Sequence, residues 1–209
     1  NPNSLSNAGI NVTSSWCTPV AEVTGGNSTF IMGYNPAVRA TKIASTIVYT
    51  SLGLPAQSFV KTSRANSNVI FLGDNNITIS NSTAMNVVNR SLDNGITFTK
   101  VFESFGVIGD RRIATDLSFD PADPDRIWIS FGGFASAAPT RVIHSIDGGA
   151  TWVDISGSLP MVPVNCIVYD PSSGSNNGVY IGTDIGVFYR NNTLGDWIPF
   201  SNNLPVVEV

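Results

Sequence analysis

The chain is poor in charge: only 12% of its 209 residues are Asp, Glu, Lys or Arg, against roughly 25% in an average soluble protein. Lysine occurs only at Lys42, Lys61 and Lys100, and the formal net charge is −4. A chain so balanced has no basic face for a phosphate backbone, which argues against a nucleic-acid partner. Histidine occurs once, at His144, and cysteine twice, at Cys17 and Cys166. These residues cannot assemble a set with metal-ligand spacing, so no metal and no cofactor is expected. No apolar run approaches the roughly 20 residues of a membrane helix, so no membrane insertion is expected. No Gly-x-Ser-x-Gly elbow occurs, and no phosphate-cradling glycine loop precedes a helix. The two cysteines leave the compartment open: paired, they imply an oxidising one, and unpaired and buried, they are small hydrophobes.

The chain is rich instead in Gly, Asn, Ser and Thr, with 42% hydrophobic residues. That mixture suits short strands joined by polar turns. It also produces Asn-x-Ser/Thr triplets by chance, at Asn11, Asn27, Asn76, Asn81, Asn89 and Asn191, and these are not read as glycan sites. One design recurs. SLDNGITF (Ser91–Phe98) and SIDGGATW (Ser145–Trp152) share Ser-x-Asp-x-Gly-x-Thr-aromatic, with starts 54 positions apart (145 − 91). A supersecondary unit repeating at about this spacing indicates a propeller, solenoid or array.

A second signal is a strand ending in glycine: FIMGYN, IFLGDN, WISFGG and VYIGTD, with Gly33, Gly73, Gly132 and Gly182 as the glycines. Glycine there is expected to permit a tight exit from the strand. A third signal is a closing Leu-Pro after a small polar turn, at Pro55, Pro160 and Pro205. One full unit can be laid out from Arg112 to Pro160: strands Ile113–Phe119, Arg126–Phe131, Thr140–Ser145 and Ala150–Ser156. The segment Asp120–Asp125 is its first turn and the Asp147–Gly149 hairpin its last. Asp-Gly between apolar strands is a strong hairpin signal. Four short antiparallel strands per repeat make one propeller blade. The expected fold is therefore all-β, a propeller or partial propeller of about four four-stranded blades. The blade-like units cover about 16–56, 60–110, 111–160 and 161–205, within one propeller segment spanning 1–209. VVEV (Val206–Val209) reads as the start of a further strand. With Asn1 rather than Met at its beginning, the chain reads as a mature or excised piece, and its last strand either begins a further blade of a longer propeller or closes the ring.

The two eight-residue phrases resemble Asp-box repeats, also called BNR repeats. GVYIGTDIGVFYRNN and DWIPFSNNLP are similar to sortilin/xyloglucanase-like propellers of large secreted Bacteroidetes proteins. In such repeats the box is structural, which implies that role for Ser91, Asp93, Gly95 and Phe98, and for Ser145, Asp147, Gly149 and Trp152. Gly195 and Trp197 belong to a degenerate third copy. The aspartates are expected to accept backbone N–H groups in their own turns, the glycines to take φ > 0 and the aromatics to pack between sheets. The resemblance implies a secreted or cell-surface location.

Sialidase chemistry would need an Arg-Ile-Pro motif, and Arg112-Ile113-Ala114 is the nearest string. Xyloglucanase-type inversion would need two carboxylates about 6.5–9.5 Å apart across a cleft, and no local motif singles out a pair. No catalytic residue is assigned. On the blade layout the loop face gathers Asn35, Asp74, Asp110, Arg111, Arg112, Phe134 and Asp184 as candidate ligand-binding residues. Asp110-Arg111-Arg112 is the densest charge cluster and could grip a carboxylate or sugar hydroxyls, arginine being suited to bidentate contacts. Asp120, Asp123 and Asp125 lack the EF-hand pattern and read as turn chemistry. His144 reads as a strand-face residue. No Cys17–Cys166 bridge is expected.

The functional expectation is a non-enzymatic module for carbohydrate binding, adhesion or assembly of a larger extracellular protein. Its partner would be a polysaccharide or another surface protein. Two alternatives are part of a glycoside hydrolase whose cleft is completed elsewhere, and a sortilin-like protein-binding module.

Overall fold

The computed structural model describes residues 20–23, 29–63, 66–74, 85–105, 113–133 and 140–200. Among these residues sixteen strands form four antiparallel sheets, each a four-stranded meander. Sheet one is β1 (Val20–Val23), β2 (Thr29–Met32), β3 (Val38–Ile43) and β4 (Thr46–Ser51). Sheet two is β5 (Gln57–Thr62), β6 (Ile70–Asp74), β7 (Met85–Ser91) and β8 (Thr99–Phe105). Sheet three is β9 (Ala114–Asp120), β10 (Asp123–Phe131), β11 (Val142–Ser145) and β12 (Val153–Asp154). Sheet four is β13 (Val164–Tyr169), β14 (Val179–Thr183), β15 (Gly186–Arg190) and β16 (Ile198–Pro199), with a 3-10 turn at Pro171–Asn176 between β13 and β14.

The chain divides into two compact units. The first, residues 1–76 and 86–103, carries sheets one and two save for Met85, Ser104 and Phe105, and the second carries sheets three and four. In the first unit, Ile31 of sheet one packs with Val60, Ile70 and Leu72 of sheet two in one buried cluster. In the second, Trp128 and Val142 of sheet three pack with Ile167, Val179 and Ile181 of sheet four. Both clusters arise from the two-residue alternation of strands, which sends every second side chain to the same face.

A polar seam reinforces the second unit. Along β9 the alternating residues Asp116, Ser118 and Asp120 point at β13, the first strand of the next sheet. Asp116 Oδ2 accepts from the Ile167 amide at 3.3 Å, Ser118 Oγ from the Tyr169 amide at 2.8 Å, and Asp120 Oδ2 from the Tyr169 hydroxyl at 3.1 Å. Thr115 Oγ1 donates to the Val164 carbonyl at 2.7 Å. These side chains satisfy backbone groups along an edge strand that would otherwise be open to pairing. They also explain why ATDLSFD is a strand despite four polar positions.

Three sheets share an irregularity at the start of their first strand. The register shifts by one residue between Gln57 and Phe59, between Ala114 and Asp116, and between Val164 and Cys166. The extra residues are Ser58, Thr115 and Asn165. Each uses its side chain in a hydrogen bond: Ser58 Oγ donates to the Gly73 carbonyl at 3.0 Å and Asn165 Nδ2 to Asp184 Oδ1 at 3.0 Å, while Thr115 reaches the next sheet.

Two local expectations change. The strand-ending glycines were expected to supply a tight turn, but neither Gly73 nor Gly132 has positive φ. Their role is close approach. A Cβ on Gly73 would lie 2.1 Å from Cε1 of Phe59, and one on Gly132 would lie 2.7 Å from Cγ2 of Thr115. The turn expected over Asp120–Asp125 is shorter, because Asp123 pairs with Asp120 and β10 begins there. A register shift between Asp123 and Ile127 accommodates Pro124, which has no N–H to give the ladder.

Candidate functional site

The two recurring phrases fold into the same turn. In the first, the Asp93 and Gly95 amides donate to Ser91 Oγ at 3.2 and 2.9 Å, and that hydroxyl donates to Asp93 Oδ1 at 2.7 Å. Asp93 Oδ1 also accepts from the Ile96 and Thr97 amides, and Oδ2 accepts from Thr97 Oγ1 at 2.5 Å. Ser145, Asp147, Gly149 and Thr151 repeat the pattern, with the Thr151 amide and hydroxyl 2.8 and 2.6 Å from the Asp147 carboxylate. Gly95 and Gly149 have φ of 75° and 94°.

Phe98 packs on the Ile31–Leu72 cluster. Trp152 is half-buried, its Nε1 donating to the Gly149 carbonyl at 3.1 Å. In the degenerate copy Gly195 has φ 72°, and the buried Trp197 donates from Nε1 to the Ile155 carbonyl at 2.7 Å. Hydrogen bonds from the threonine hydroxyl, then the threonine amide, then the serine hydroxyl hold Asp93 and Asp147 down to a pKa of about 2. A carboxylate engaged in this way is a fixed acceptor, not a proton donor.

The loop-face candidates are spread over both units. Asn35 is exposed and precedes a cis proline, Pro36. Asp74 is buried at the end of β6, opposite Gln57, whose amide reaches the Gly33 carbonyl at 3.1 Å. Asp184 is half-buried and accepts from Asn165 Nδ2 at 3.0 Å. Asp110, Arg111, Arg112 and Phe134 lie outside the described residues, as does Cys17. Cys166 is half-buried on β13.

Among the described residues a concavity lies in the second unit. It is a cleft of about 400 Å³ lined by Asp120, Pro121, Ala122, Arg126, Tyr169, Pro171, Gly174 and Ser175. Its floor is a closed polar brace. Asp120 Oδ1 accepts from the Ala122 amide at 2.8 Å, and Oδ2 faces Arg126 Nη2 at 2.7 Å as well as the Tyr169 hydroxyl. Arg126 Nε donates to Asp123 Oδ2 at 3.1 Å and Nη1 to Asn177 Oδ1 at 2.8 Å. Burial and then Asp120 raise the Tyr169 pKa, so the phenol stays protonated and donates.

Behind Tyr169 stands Trp128, with ring centroids 5.0 Å apart, and on it His144 at 4.6 Å with planes 6° apart. Among the described residues His144 Nε2 is buried without a hydrogen-bond partner. Burial, then Arg126 and Arg190, lower the His144 pKa to about 4. Among the described residues no group of three or more His, Cys, Asp or Glu could hold a metal.

The sequence pattern alone marks Asp120 as turn chemistry and gives no role to Arg126 or Tyr169. The signal for Arg126 was its six-residue distance from Asp120 across a tight hairpin. Tyr169 lies 49 residues from Asp120, a distance that no local pattern bridges.

These shifts predict acid sensitivity in two steps. His144 is neutral in the fold while the unfolded chain takes a proton near 6.5, so its stabilisation is complete above that pH and is lost as pH falls toward about 4. Asp93 and Asp147 contribute stability that is present above about 3.8 and lost as pH falls toward about 2. Urea unfolding followed from pH 7 to pH 2 is expected to show both losses. His144→Phe should flatten the upper window alone, and a profile unchanged by that substitution would contradict the assignment.

No family model matches the chain, and no curated protein matches it. Solved structures do. A GH74 xyloglucanase from Xanthomonas campestris superposes with a TM-score of 0.62 at 14% identity, over 90% of this chain and 32% of that one. An ancestral GH74 enzyme gives 0.60 at 18% identity, over 92% and 24%. An extracellular domain from B. thetaiotaomicron gives 0.57 at 13% identity, over 94% and 24%. The fold is of the β-propeller type. The chain spans about a third or less of each of those proteins. No helix among the described residues is long and apolar enough to cross a membrane.

Proposed function

We propose that this chain is a non-enzymatic Asp-box propeller module of a secreted or cell-surface protein, and that it binds carbohydrate. The observation that carries this reading is the cleft beside the Asp120–Arg126 brace. Its walls are Pro121, Ala122 and Pro171, its rim carries Ser175, and the ionised groups at its floor are already paired. Such a surface suits a neutral, hydroxyl-bearing ring, which presents C–H faces to prolines and hydroxyls to the rim. It does not suit bond cleavage: Asp120 and Asp123 both face Arg126, and neither is poised to protonate a glycosidic oxygen. The fold shared with GH74 enzymes and with an extracellular domain supports a carbohydrate-directed, extracellular setting.

A glycan array with the whole chain tests the proposal. Ser175→Trp would fill the cleft from an exposed position, and Arg111→Ala/Arg112→Ala would alter the loop cluster. Binding to neutral polysaccharide, reduced about tenfold or more by Ser175→Trp and spared by the arginine pair, is the expected result; tenfold corresponds to about 1.4 kcal/mol. Loss in the arginine variant alone would move the site to the loop face. No binding by any form would overturn the carbohydrate reading in favour of a protein-assembly role, and cleavage of xyloglucan would overturn the non-enzymatic one.

A further inference from the structure

The sequence holds two Asn-Gly pairs, Asn94–Gly95 and Asn177–Gly178. An asparagine before glycine is open to deamidation, because no side chain on the second residue shields its amide nitrogen. The pairs belong to different units, the first to the recurring turn of sheet two and the second to the turn between β13 and β14. The fold requires glycine in both. A Cβ on Gly95 would lie 3.1 Å from Cδ1 of Ile70, with φ at 75°, and one on Gly178 would lie 2.7 Å from Cβ of Ser173. It also requires a residue that tolerates the left-handed region before each glycine: φ is 63° at Asn94 and 51° at Asn177.

The two pairs are held by the same contacts. Each side-chain oxygen accepts from an arginine of a distant strand: Arg39 Nη2 reaches Asn94 Oδ1 at 3.2 Å, and Arg126 Nη1 reaches Asn177 Oδ1 at 2.8 Å. Each glycine is buried, and its amide donates to a serine hydroxyl: Gly95 to Ser91 Oγ at 2.9 Å, Gly178 to Ser173 Oγ at 2.7 Å. Arg39 Nε also donates to the Asn94 carbonyl at 3.3 Å, so one guanidinium gathers both oxygens of that residue, away from the Gly95 nitrogen. At Asn177 φ and ψ are both 51°, which sets Cβ across the Cα–C bond from the Gly178 nitrogen.

We propose that Asn94 and Asn177 are modification sites that deamidate through a cyclic imide, and that the arginine and serine on each set the rate by holding it closed. In the reaction the glycine nitrogen bonds to the side-chain carbonyl carbon of asparagine and gives up its proton. The carbon–nitrogen bond of the side-chain amide breaks, and ammonia leaves. Solvent water then opens the imide at either carbonyl, giving aspartate or isoaspartate. The contacts oppose the first step from both ends: the attacking N–H is engaged with serine, and the attacked amide is pinned to arginine. Ring closure needs both bonds broken and the main chain turned out of the left-handed region. The second recurring turn keeps the shape without the reactive amide. Gly148 stands where Asn94 does, with φ 71° and its amide on the Asp125 carbonyl at 2.9 Å.

Incubating the full 209-residue chain in mildly alkaline buffer, with peptide mapping by mass spectrometry, reads both sites. The wild type unfolded in urea is expected to lose both amides, and the folded wild type to lose each more slowly. Arg39→Ala should speed the loss at Asn94 and spare Asn177, and Arg126→Ala should do the reverse. Each rise should be about tenfold, the effect on local opening of losing a hydrogen bond to a charged group. Gly73→Ala and Gly132→Ala lower the stability of the same two units with these contacts intact, and should leave both rates at wild-type values. Arg39→Met keeps the aliphatic stem and replaces Arg39→Ala if melting shows that the latter is unfolded. Amides that survive in the urea-unfolded chain, or equal rates in folded and unfolded protein, would overturn the inference. So would arginine variants that act on both sites alike or no more strongly than the glycine variants.

Discussion

Replacing Arg126 by Ala is expected to destabilise the second unit by about 3 kcal/mol, among the larger effects available to a single partly exposed side chain. The Asp120 side chain is 6% exposed, and among the described residues its cation is Arg126, with Nη2 at 2.7 Å. Without the guanidinium a carboxylate remains in a buried position with the Ala122 amide and the Tyr169 hydroxyl as its other partners. Breaking a buried pair from one side costs about 3–5 kcal/mol. The 25% exposure of Arg126 places this case at the low end.

The second substitution separates charge from packing. On the Arg126→Ala background, Asp120→Asn removes the uncompensated charge and should recover about 1–2 kcal/mol, a coupling of the size that contacting residues show. Urea denaturation of the two single variants and the double variant measures it. Strict additivity would mean that Asp120 and Arg126 do not depend on each other, and the brace would then be incidental to stability. Because the brace forms the cleft floor, the same variants should lose any glycan binding in step with their stability.

Gly73→Ala is expected to cost about 2–3 kcal/mol, at the upper end for one added methyl in a packed core. The methyl would sit 2.1, 2.2 and 2.7 Å from three ring carbons of Phe59, the residue directly opposite on β5. Phe59 is buried, so its ring has no solvent to swing into. The backbone of Gly73 is not in the left-handed region. The cost is therefore steric, and a smaller neighbour should relieve it. Gly73→Ala/Phe59→Leu is expected to regain about half the loss, less the cost of trimming a buried aromatic. If the double variant is as unstable as the sum of the two singles, the clash is not the cause. Gly132→Ala gives a milder comparison, since the displaced atom is one methyl of Thr115 at 2.7 Å.

Much of the architecture was legible in the residues. Ser-x-Asp-x-Gly-x-Thr-aromatic specifies its own turn because the side-chain bonds of its serine, aspartate and threonine lie within eight residues, as Ser91 with Asp93 and Asp93 with Thr97 show. Alternating apolar residues and Gly-rich turns specify short antiparallel strands for the same reason: pairing partners sit a few residues either side of a hairpin. The strand-ending glycines were visible as a pattern while their cause was not, because the ring over Gly73 comes from the neighbouring strand.

The site was decided by tertiary structure. Asp120 meets Tyr169, and the Tyr169 amide meets Ser118, at separations of 49 and 51 residues. Trp128 stacks on His144 across neighbouring strands of sheet three, but on Tyr169 only because sheet four lies against sheet three. Sequence by itself determined the repeat, the turn chemistry and the class of fold, all of which rest on short-range hydrogen bonds and on two-residue periodicity. Which aromatics are covered and where a cleft opens depended on how one sheet meets the next, because those are contacts between residues that chain spacing does not relate.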